Sequence, residues 1–317
     1  MDERRKKTER RKKKVVVVVP AFDEAARIAE TVTALKRLAR PMGAAGCTLR
    51  VLVIDDGSAD STGEEATKAG AHRVIRHKVN LGLGAAVRTG LAAAREDGAD
   101  IAVKFDADLQ HDPKDVRAVI APILADKADV VYGDRFERLE YRMPMIRRIG
   151  NAVFTRLMRW LTGWPVRDGQ PGIFAVNAAY LRIFSLPGDY NYTQQVLIDA
   201  YHKGMRFAQA PVAFRARETG KSFVTLKYPF RVLAQILMVL VSLKPLRVFV
   251  PVGVFFLGVA VVVFSVQIAD WLLGGAQKPV ENVNLVLGCG LFGLQTLLFG
   301  LLAELIVRSG NWGSRDG

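Results

Sequence analysis

Val15-Val16-Val17-Val18-Val19-Pro20-Ala21-Phe22-Asp23-Glu24 is the stretch on which the fold turns. Five consecutive β-branched residues show no polar alternation, so they predict a strand buried on both faces. Pro20 closes the run, and Ala25–Arg40 then predicts a helix. The same phrase recurs downstream. Strands are predicted at Leu49–Ile54, Arg73–Ile75, Ile101–Phe105 and Asp129–Tyr132. Helices are predicted between them at Thr62–Ala69, Ala85–Asp97 and Pro113–Leu124. Strands joined by helical crossovers make an α/β fold, a mostly parallel sheet with helices on both faces.

Outward from this region the composition changes sharply. The chain has 317 residues and a formal net charge of +14. Residues 1–14 hold nine basic and three acidic side chains. No apolar segment long enough for a signal peptide follows them. The run also lacks interleaved aromatics and a recognition fold, so no nucleic-acid partner is expected. A disordered basic arm attracted to anionic lipid, or simply solvated, fits it. Toward the other end, Val248–Ala269 and Val283–Ala303 carry no charge. Each spans roughly 30 Å as a helix, the thickness of a bilayer core. Basic residues flank their outer ends at Lys244, Arg247, Arg308 and Arg315. The positive-inside rule then places the soluble region and both termini in the cytoplasm. Val232–Leu243 is too short to span and predicts an interfacial helix. Gln295 is expected to bond a neighbouring helix, and neither span contains Gly-x-x-x-Gly, so a homo-oligomer would rest on other packing. The expected divisions are an arm at 1–14, a catalytic domain at 15–225, an interfacial helix at 226–247, a membrane hairpin at 248–308 and a tail at 309–317. Two distant cysteines, Cys47 and Cys289, exclude a disulfide scaffold.

In a parallel sheet, ligands bind beyond the C-terminal strand ends. There the sequence places Phe22-Asp23-Glu24, Asp55-Asp56-Gly57-Ser58 and Asp106-Ala107-Asp108-Leu109-Gln110-His111. Phe22 can stack on a base, and Asp56 can accept hydrogen bonds from base or ribose. Asp106 and Asp108 can turn toward one divalent cation, with Gln110 adding an amide oxygen. Such hard donors suit Mg²⁺ or Mn²⁺. Each motif alone also fits an ordinary turn; their force lies in the combination. Asn80-Leu81-Gly82-Leu83-Gly84 has Val87 where a dinucleotide fingerprint needs a third glycine, so it predicts a tight turn capping a helix.

These residues resemble glycosyltransferase family 2, with its GT-A, Rossmann-like nucleotide-sugar fold. The matches are Val19–Glu24, Asp55–Thr62, Asn80–Gly84 and, most strongly, Asp106–Pro113. Gly133-Asp134-Arg135, Arg147-Arg148 with Asn151, Asp168, Gly172-Ile173-Phe174 and Arg217–Ser222 extend them. The pattern is similar to the polyprenyl (dolichyl) phosphate mannose or glucose synthases that carry a membrane hairpin. The resemblance implies that Pro20, Phe22, Glu24, Ile54 and Asp56, with Asp106, Ala107, Asp108, Gln110 and Arg135, hold the nucleotide-sugar. It assigns the metal to Asp106, Asp108 and Gln110. It implies catalytic roles for Asp108, Arg135 and Arg217. It gives the acceptor phosphate to Arg147 or Arg148, Arg217, Lys221 and Ser222. Gln194-Gln195 stands where many relatives carry an acidic residue.

The expected reaction is inverting transfer of mannose or glucose, from GDP-mannose or UDP-glucose, to a polyprenyl or dolichyl phosphate. A lipid phosphate is already ionised and needs no general base, and none is evident between Asp168 and the spans. Arginine and lysine suit its recognition. A processive polysaccharide synthase would need Gln-x-x-Arg-Trp, and Arg156 precedes Arg159-Trp160 in the Gln position. An amino-sugar donor, or a non-catalytic membrane scaffold of this fold, are the alternatives.

Overall fold

A computed structural model describes residues 11–108, 110–136, 163–186, 192–213 and 245–312, with Val241 and scattered positions between 152 and 162. The chain divides into two compact units, Met1–Ser222 and Phe223–Gly317.

In the first unit the elements run β1 (Lys13–Ala21), α1 (Ala25–Arg37), α2 (Ala39–Ala44), β2 (Cys47–Asp55), α3 (Thr62–Lys68), β3 (Arg73–Arg76), α4 (Leu83–Glu96), β4 (Ile101–Lys104), α5 (Asp115–Leu124) and β5 (Val130–Asp134). Then follow β6 (Phe174–Asn177), α6 (Ala178–Ile183), α7 (Tyr192–His202) and β7 (Phe207–Pro211). The seven strands form one sheet in the order β3-β2-β1-β4-β6-β5-β7. Every pairing is parallel except those of β6, which runs antiparallel to β4 and β5.

The valine run occupies the middle of β1, with all five residues fully buried. Val15, Val17 and Val19 join Ile28, Val32 and Leu35 of α1 and Val116, Val119 and Ile120 of α5 in one core. Val18 faces the opposite layer, where α4 packs so closely that a Cβ on Gly90 would fall 2.1 Å from Val18 Cγ1. That two-sided burial is why the strand reads as continuous valine rather than as alternation.

Two expectations are corrected here. The disordered arm expected over 1–14 ends sooner, because Lys13 and Lys14 open β1 by pairing with Cys47 and Thr48, and Arg11 pairs with Asp100 at 2.8 Å. The single helix predicted over Ala25–Arg40 is two, with α1 ending at Arg37 and α2 beginning at Ala39. The strand β6, its antiparallel course, and α6, α7 and β7 had no prediction.

The second unit holds α8 (Pro245–Leu272) and α9 (Val283–Trp312), both long and apolar enough to cross a membrane. They pack through glycines. A Cβ on Gly293 would lie 2.8 Å from the Gly253 carbonyl oxygen, and one on Gly253 would lie 2.7 Å from Leu297 Cγ. Small residues let helix backbones approach without a Gly-x-x-x-Gly motif. Phe256 and Phe292 meet edge to face at 4.7 Å. Gln267 Oε1 accepts from the backbone N–H of Glu281 at 2.8 Å and Asn282 at 2.7 Å. It thereby satisfies donors at the start of α9 that have no partner within that helix. Gln295 is exposed, so the polar link within the hairpin comes from Gln267 instead. The interfacial helix expected over 226–247 lies outside the described residues, apart from Val241 and the first turn of α8.

Candidate functional site

The loops after β1 and β2 are laced together. Asp23, at φ +52°, accepts from the Ala59 N–H at 2.9 Å, and its own N–H donates to Ser58 Oγ at 3.1 Å. The Glu24 N–H donates to Thr62 Oγ1 at 2.9 Å, while the Glu24 carboxylate pairs with Arg27. Phe22 stays 45% exposed, with its ring open to solvent. Pro20 and Ile54 pair across β1 and β2. Ile54 is fully buried.

Asp56 sits at the end of β2 and is 3% exposed. Its Oδ1 accepts from the Leu81 N–H at 3.1 Å and lies 2.6 Å from His77 Nδ1; its Oδ2 accepts from the Gly82 N–H at 2.8 Å. The carboxylate therefore holds the 77–82 loop in place. Gly82 starts α4 at φ +92°, the tight turn the sequence predicted. Gly57 is required beneath it, because a Cβ there would strike the Val79 backbone at 2.4 Å.

The third strand end carries the densest chemistry. Lys104, the last residue of β4, is fully buried. Its Nζ donates to Asp106 Oδ1 at 2.5 Å and to the Gly172 carbonyl at 2.7 Å. It also lies 5.3 Å from the Tyr192 ring centroid. Burial pulls this ammonium down, and the charge and hydrogen bonds of Asp106 and Tyr192 together more than offset the pull, so its pKa lies above the ordinary lysine value. Burial also raises the Tyr192 phenol, against the opposing charge of Lys104. Gly172 fits closely against this group: a Cβ there would fall 2.1 Å from His111 Nε2 and 2.8 Å from Asp106 Oδ2. His111 is 3% exposed, and burial pushes its imidazole down to about 4, leaving it neutral near pH 7. Ala107 is buried, its carbonyl accepting from Thr31 Oγ1 at 3.1 Å. Asp108 Oδ1 accepts from the Gln110 N–H at 3.1 Å, closing the turn.

Arg135 follows β5. Its Nε and Nη2 grip the fully buried Asp168 at 2.6 and 3.0 Å, and Nη2 also donates to the Gln170 carbonyl at 2.6 Å. A bidentate pair of this kind fixes the guanidinium plane.

A cavity of about 660 Å³ opens among these groups. Asp106, Gln110 and Arg135 line it together with Asn80, Gln170, Gly172, Tyr192, Thr193 and Gln194. Thus three of the expected residues share a wall, while Pro20, Phe22, Glu24, Ile54, Asp56, Ala107 and Asp108 do not line it. Arg147, Arg148, Arg217, Lys221 and Ser222 lie outside the described residues. Lys104, Gln170 and Thr193 escaped the sequence reading, and Asn80 was read only as part of a turn. For Lys104 a signal existed: it is the one charge in an otherwise apolar strand, two residues before Asp106. Residues two apart on a strand share a face.

Asp106 and Gln110 bring hard oxygen donors of the kind Mg²⁺ prefers to one cavity wall, and Asp108, the third expected ligand, does not line it. Among the described residues, no group of three His, Cys, Asp or Glu side chains gathers.

The sequence matches the family model "Glycosyl transferase family 2" over residues 16–184. It is 32% identical over 183 residues to a UDP-N-acetylglucosamine–dolichyl-phosphate N-acetylglucosaminyltransferase of Methanococcus voltae, covering 51% of this chain and 73% of that one. It is 27% identical over 303 residues to a dodecaprenyl-phosphate galacturonate synthase of Rhizobium johnstonii, covering 92% and 87%. Among solved structures, glucosyl-3-phosphoglycerate synthase of Mycobacterium tuberculosis, crystallised with Mn²⁺, UDP-glucose and phosphoglyceric acid, superposes with a TM-score of 0.58. That match covers 74% of this chain and 81% of the other at 23% identity, a likeness of fold.

Proposed function

The chain belongs to glycosyl transferase family 2, and from that premise we propose that it is a membrane enzyme moving a hexose, or a hexose derivative, from a nucleotide-sugar to a polyprenyl or dolichyl phosphate. The observation that carries this reading is the cavity where Asp106, Gln110 and Arg135 meet, in a chain that also bears two helices fit to span a bilayer. The acceptor class draws support from relatives named for dolichyl and dodecaprenyl phosphate, of which one matches along most of its length. Those names also widen the sugar from mannose or glucose to N-acetylglucosamine and galacturonate.

In this reading Phe22 and Glu24 contact the nucleoside, with Pro20 and Ile54 shaping its floor. Asp56 acts one step removed, holding the 77–82 loop against the site. Asp106, Asp108 and Gln110 hold a Mg²⁺ or Mn²⁺ ion, which would offset charge on the departing nucleoside diphosphate. Lys104 fixes the Asp106 carboxylate from below. Asp168 holds Arg135 so that its cation faces the cavity where phosphate charge develops. Among the described lining residues Asp106 is the one carboxylate, and it is tied to Lys104. Among the described residues the cavity walls therefore offer no carboxylate free to act as a base, and a phosphate acceptor requires none. Its oxygen attacks the anomeric carbon in line with the leaving diphosphate, inverting the configuration. Arg147 or Arg148, Arg217, Lys221 and Ser222 are proposed to receive the acceptor phosphate. The catalytic unit, the basic N-terminal residues before β1 and the C-terminal tail are assigned to the cytoplasm by the flanking positive charges.

Asp108→Ala tests the metal assignment. The variant should keep the wild-type melting temperature and lose transfer by at least roughly a hundredfold, and chelation of the metal by EDTA should do the same to wild type. Unchanged turnover would refute the assignment.

A further inference from the structure

Gln194 is buried to 1% exposure, and its Nε2 has no hydrogen-bond partner among the described residues. Its Oε1 accepts from Thr193 Oγ1 at 3.1 Å, which orients the amide with the nitrogen outward from that bond. Gln194 lines the cavity that also holds Asp106, Gln110 and Arg135. A buried amide donor without a partner costs free energy on folding, and native proteins rarely keep one without a use for it.

The surroundings hold this amide still. It stands in the first turn of α7 (Tyr192–His202). The Thr193 carbonyl accepts from the Tyr132 hydroxyl, and the Tyr192 ring lies against Lys104. The start of α7 is therefore tied to β4 and β5, the same strands that deliver Asp106 and Arg135. A donor fixed this way loses little entropy when a ligand arrives.

What it meets follows from the division of the site. Phe22 and Glu24, assigned to the nucleoside, do not line this cavity, whereas Asp106, Gln110 and Arg135, assigned to the metal and the phosphates, do. The space beyond the diphosphate belongs to the transferred sugar. The walls of this cavity carry the amides of Asn80, Gln170 and Gln194. Amides match sugar substituents, which present oxygen acceptors and hydroxyl donors.

We propose that Gln194 is a specificity-determining residue, whose unpaired amide N–H donates to an oxygen substituent of the donor's sugar. This rests on the nucleotide-sugar reading above and assigns the part of the ligand that Gln194 reads. A site built to hydrogen-bond a substrate group discriminates strongly against ligands that leave it unpaired.

The test is calorimetric binding to the full-length protein in detergent with Mg²⁺. The probes are UDP-glucose, UDP-N-acetylglucosamine and GDP-mannose, with UDP and GDP as sugar-free controls. For the donor that wild type prefers, Gln194→Met should weaken binding by roughly tenfold or more. Binding of the matching bare diphosphate should stay within about twofold. The melting temperature should hold or rise, because the variant removes a buried unpaired donor and retains its volume. Gln194→Glu, which swaps the donor for an acceptor at constant size, should show the same selective loss and decides the matter should the Met variant misfold. Equal weakening of diphosphate and sugar-nucleotide, unaltered affinity for both, or a lowered melting temperature in a folded variant would overturn the assignment while leaving the enzyme reading intact. A wild-type protein that binds neither diphosphates nor sugar-nucleotides would overturn both together.

Discussion

Lys104 Nζ lies 2.5 Å from Asp106 Oδ1, and the lysine is entirely buried while the aspartate side chain keeps 26% of its surface. The pair couples the floor of the sheet to the wall of the cavity. One end is sealed in the core, and the other reaches the ligand space. Removing the ammonium leaves a half-buried carboxylate without its counter-charge and the Gly172 carbonyl without its donor. Lys104→Met should destabilise the protein by roughly 3 kcal/mol, the low end for breaking a buried pair, since Asp106 retains access to water. Thermal unfolding measures this, and an unchanged melting temperature would show that the pair is not formed in solution.

Gly172→Ala probes the same corner by volume rather than charge. The new methyl would have to displace His111 and Asp106, whose nearest atoms stand 2.1 and 2.8 Å from it. Overpacking of this kind costs about 1–3 kcal/mol. Because the displaced groups include an expected metal ligand, transfer should fall more than stability does. A variant with full turnover and weaker folding would locate Gly172 outside the working part of the site.

Asp56→Ala should release the 77–82 loop. Its carboxylate receives the Leu81 and Gly82 N–H groups and His77. The loss should be roughly 2–3 kcal/mol, since buried donors are left behind. Hydrogen exchange at Leu81 and Gly82 should rise at least tenfold, with β1 and β4 unaffected. Equal protection in both proteins would contradict the clamp.

How much of this could be read beforehand depends on the range of each interaction. The valine run, the strand-end carboxylates and the two uncharged spans are local patterns, and each stands where the sequence placed it. The Asp56 clamp was hidden because its partners lie 25 and 26 positions away, in a loop whose glycine had suggested only a helix cap. Lys104 was absorbed into the apolar strand predicted over Ile101–Phe105, where a charge matters only if something answers it from outside; the answer, Gly172, is 68 positions downstream. β6 has only four residues, and its reversal is fixed by pairing with β4 and β5, not by any signal of its own. Gln267 was passed over as one amide in an apolar helix, since its role exists only once the hairpin has closed.

Acid stability should report the pair that ties the start of β5 to the chain before β7. Hydrogen bonds from Arg206 hold the Asp129 carboxyl below its ordinary pKa, against the opposing effect of burial. A depressed carboxyl contributes stability above its unfolded pKa of about 3.9 and loses it as pH falls through the lower folded value. Asp129→Asn should therefore lower the melting temperature at pH 7 and flatten its decline below about pH 4. Parallel melting curves for the two proteins across that range would contradict the ion pair.

The hairpin should fail at its closest approach. Gly253→Leu places a side chain against Leu297 and the Gly293 backbone, where a Cβ alone already meets atoms at 2.7–2.9 Å. The helices should separate, seen as lost cross-linking between cysteines placed at Phe256 and Phe292. Retained cross-linking would show that the helices do not approach through this glycine.

The central claim is lipid-dependent sugar transfer, and one assay reaches it directly. Detergent-solubilised full-length protein with Mg²⁺ or Mn²⁺ is offered labelled UDP-glucose, GDP-mannose, UDP-N-acetylglucosamine or UDP-galacturonate, each with and without a polyprenyl phosphate. Label should enter the organic phase from one of these donors, and only when the lipid phosphate is present. Folded, metal-supplied protein that moves no label from any of them, or that moves it equally without the lipid, would contradict the account.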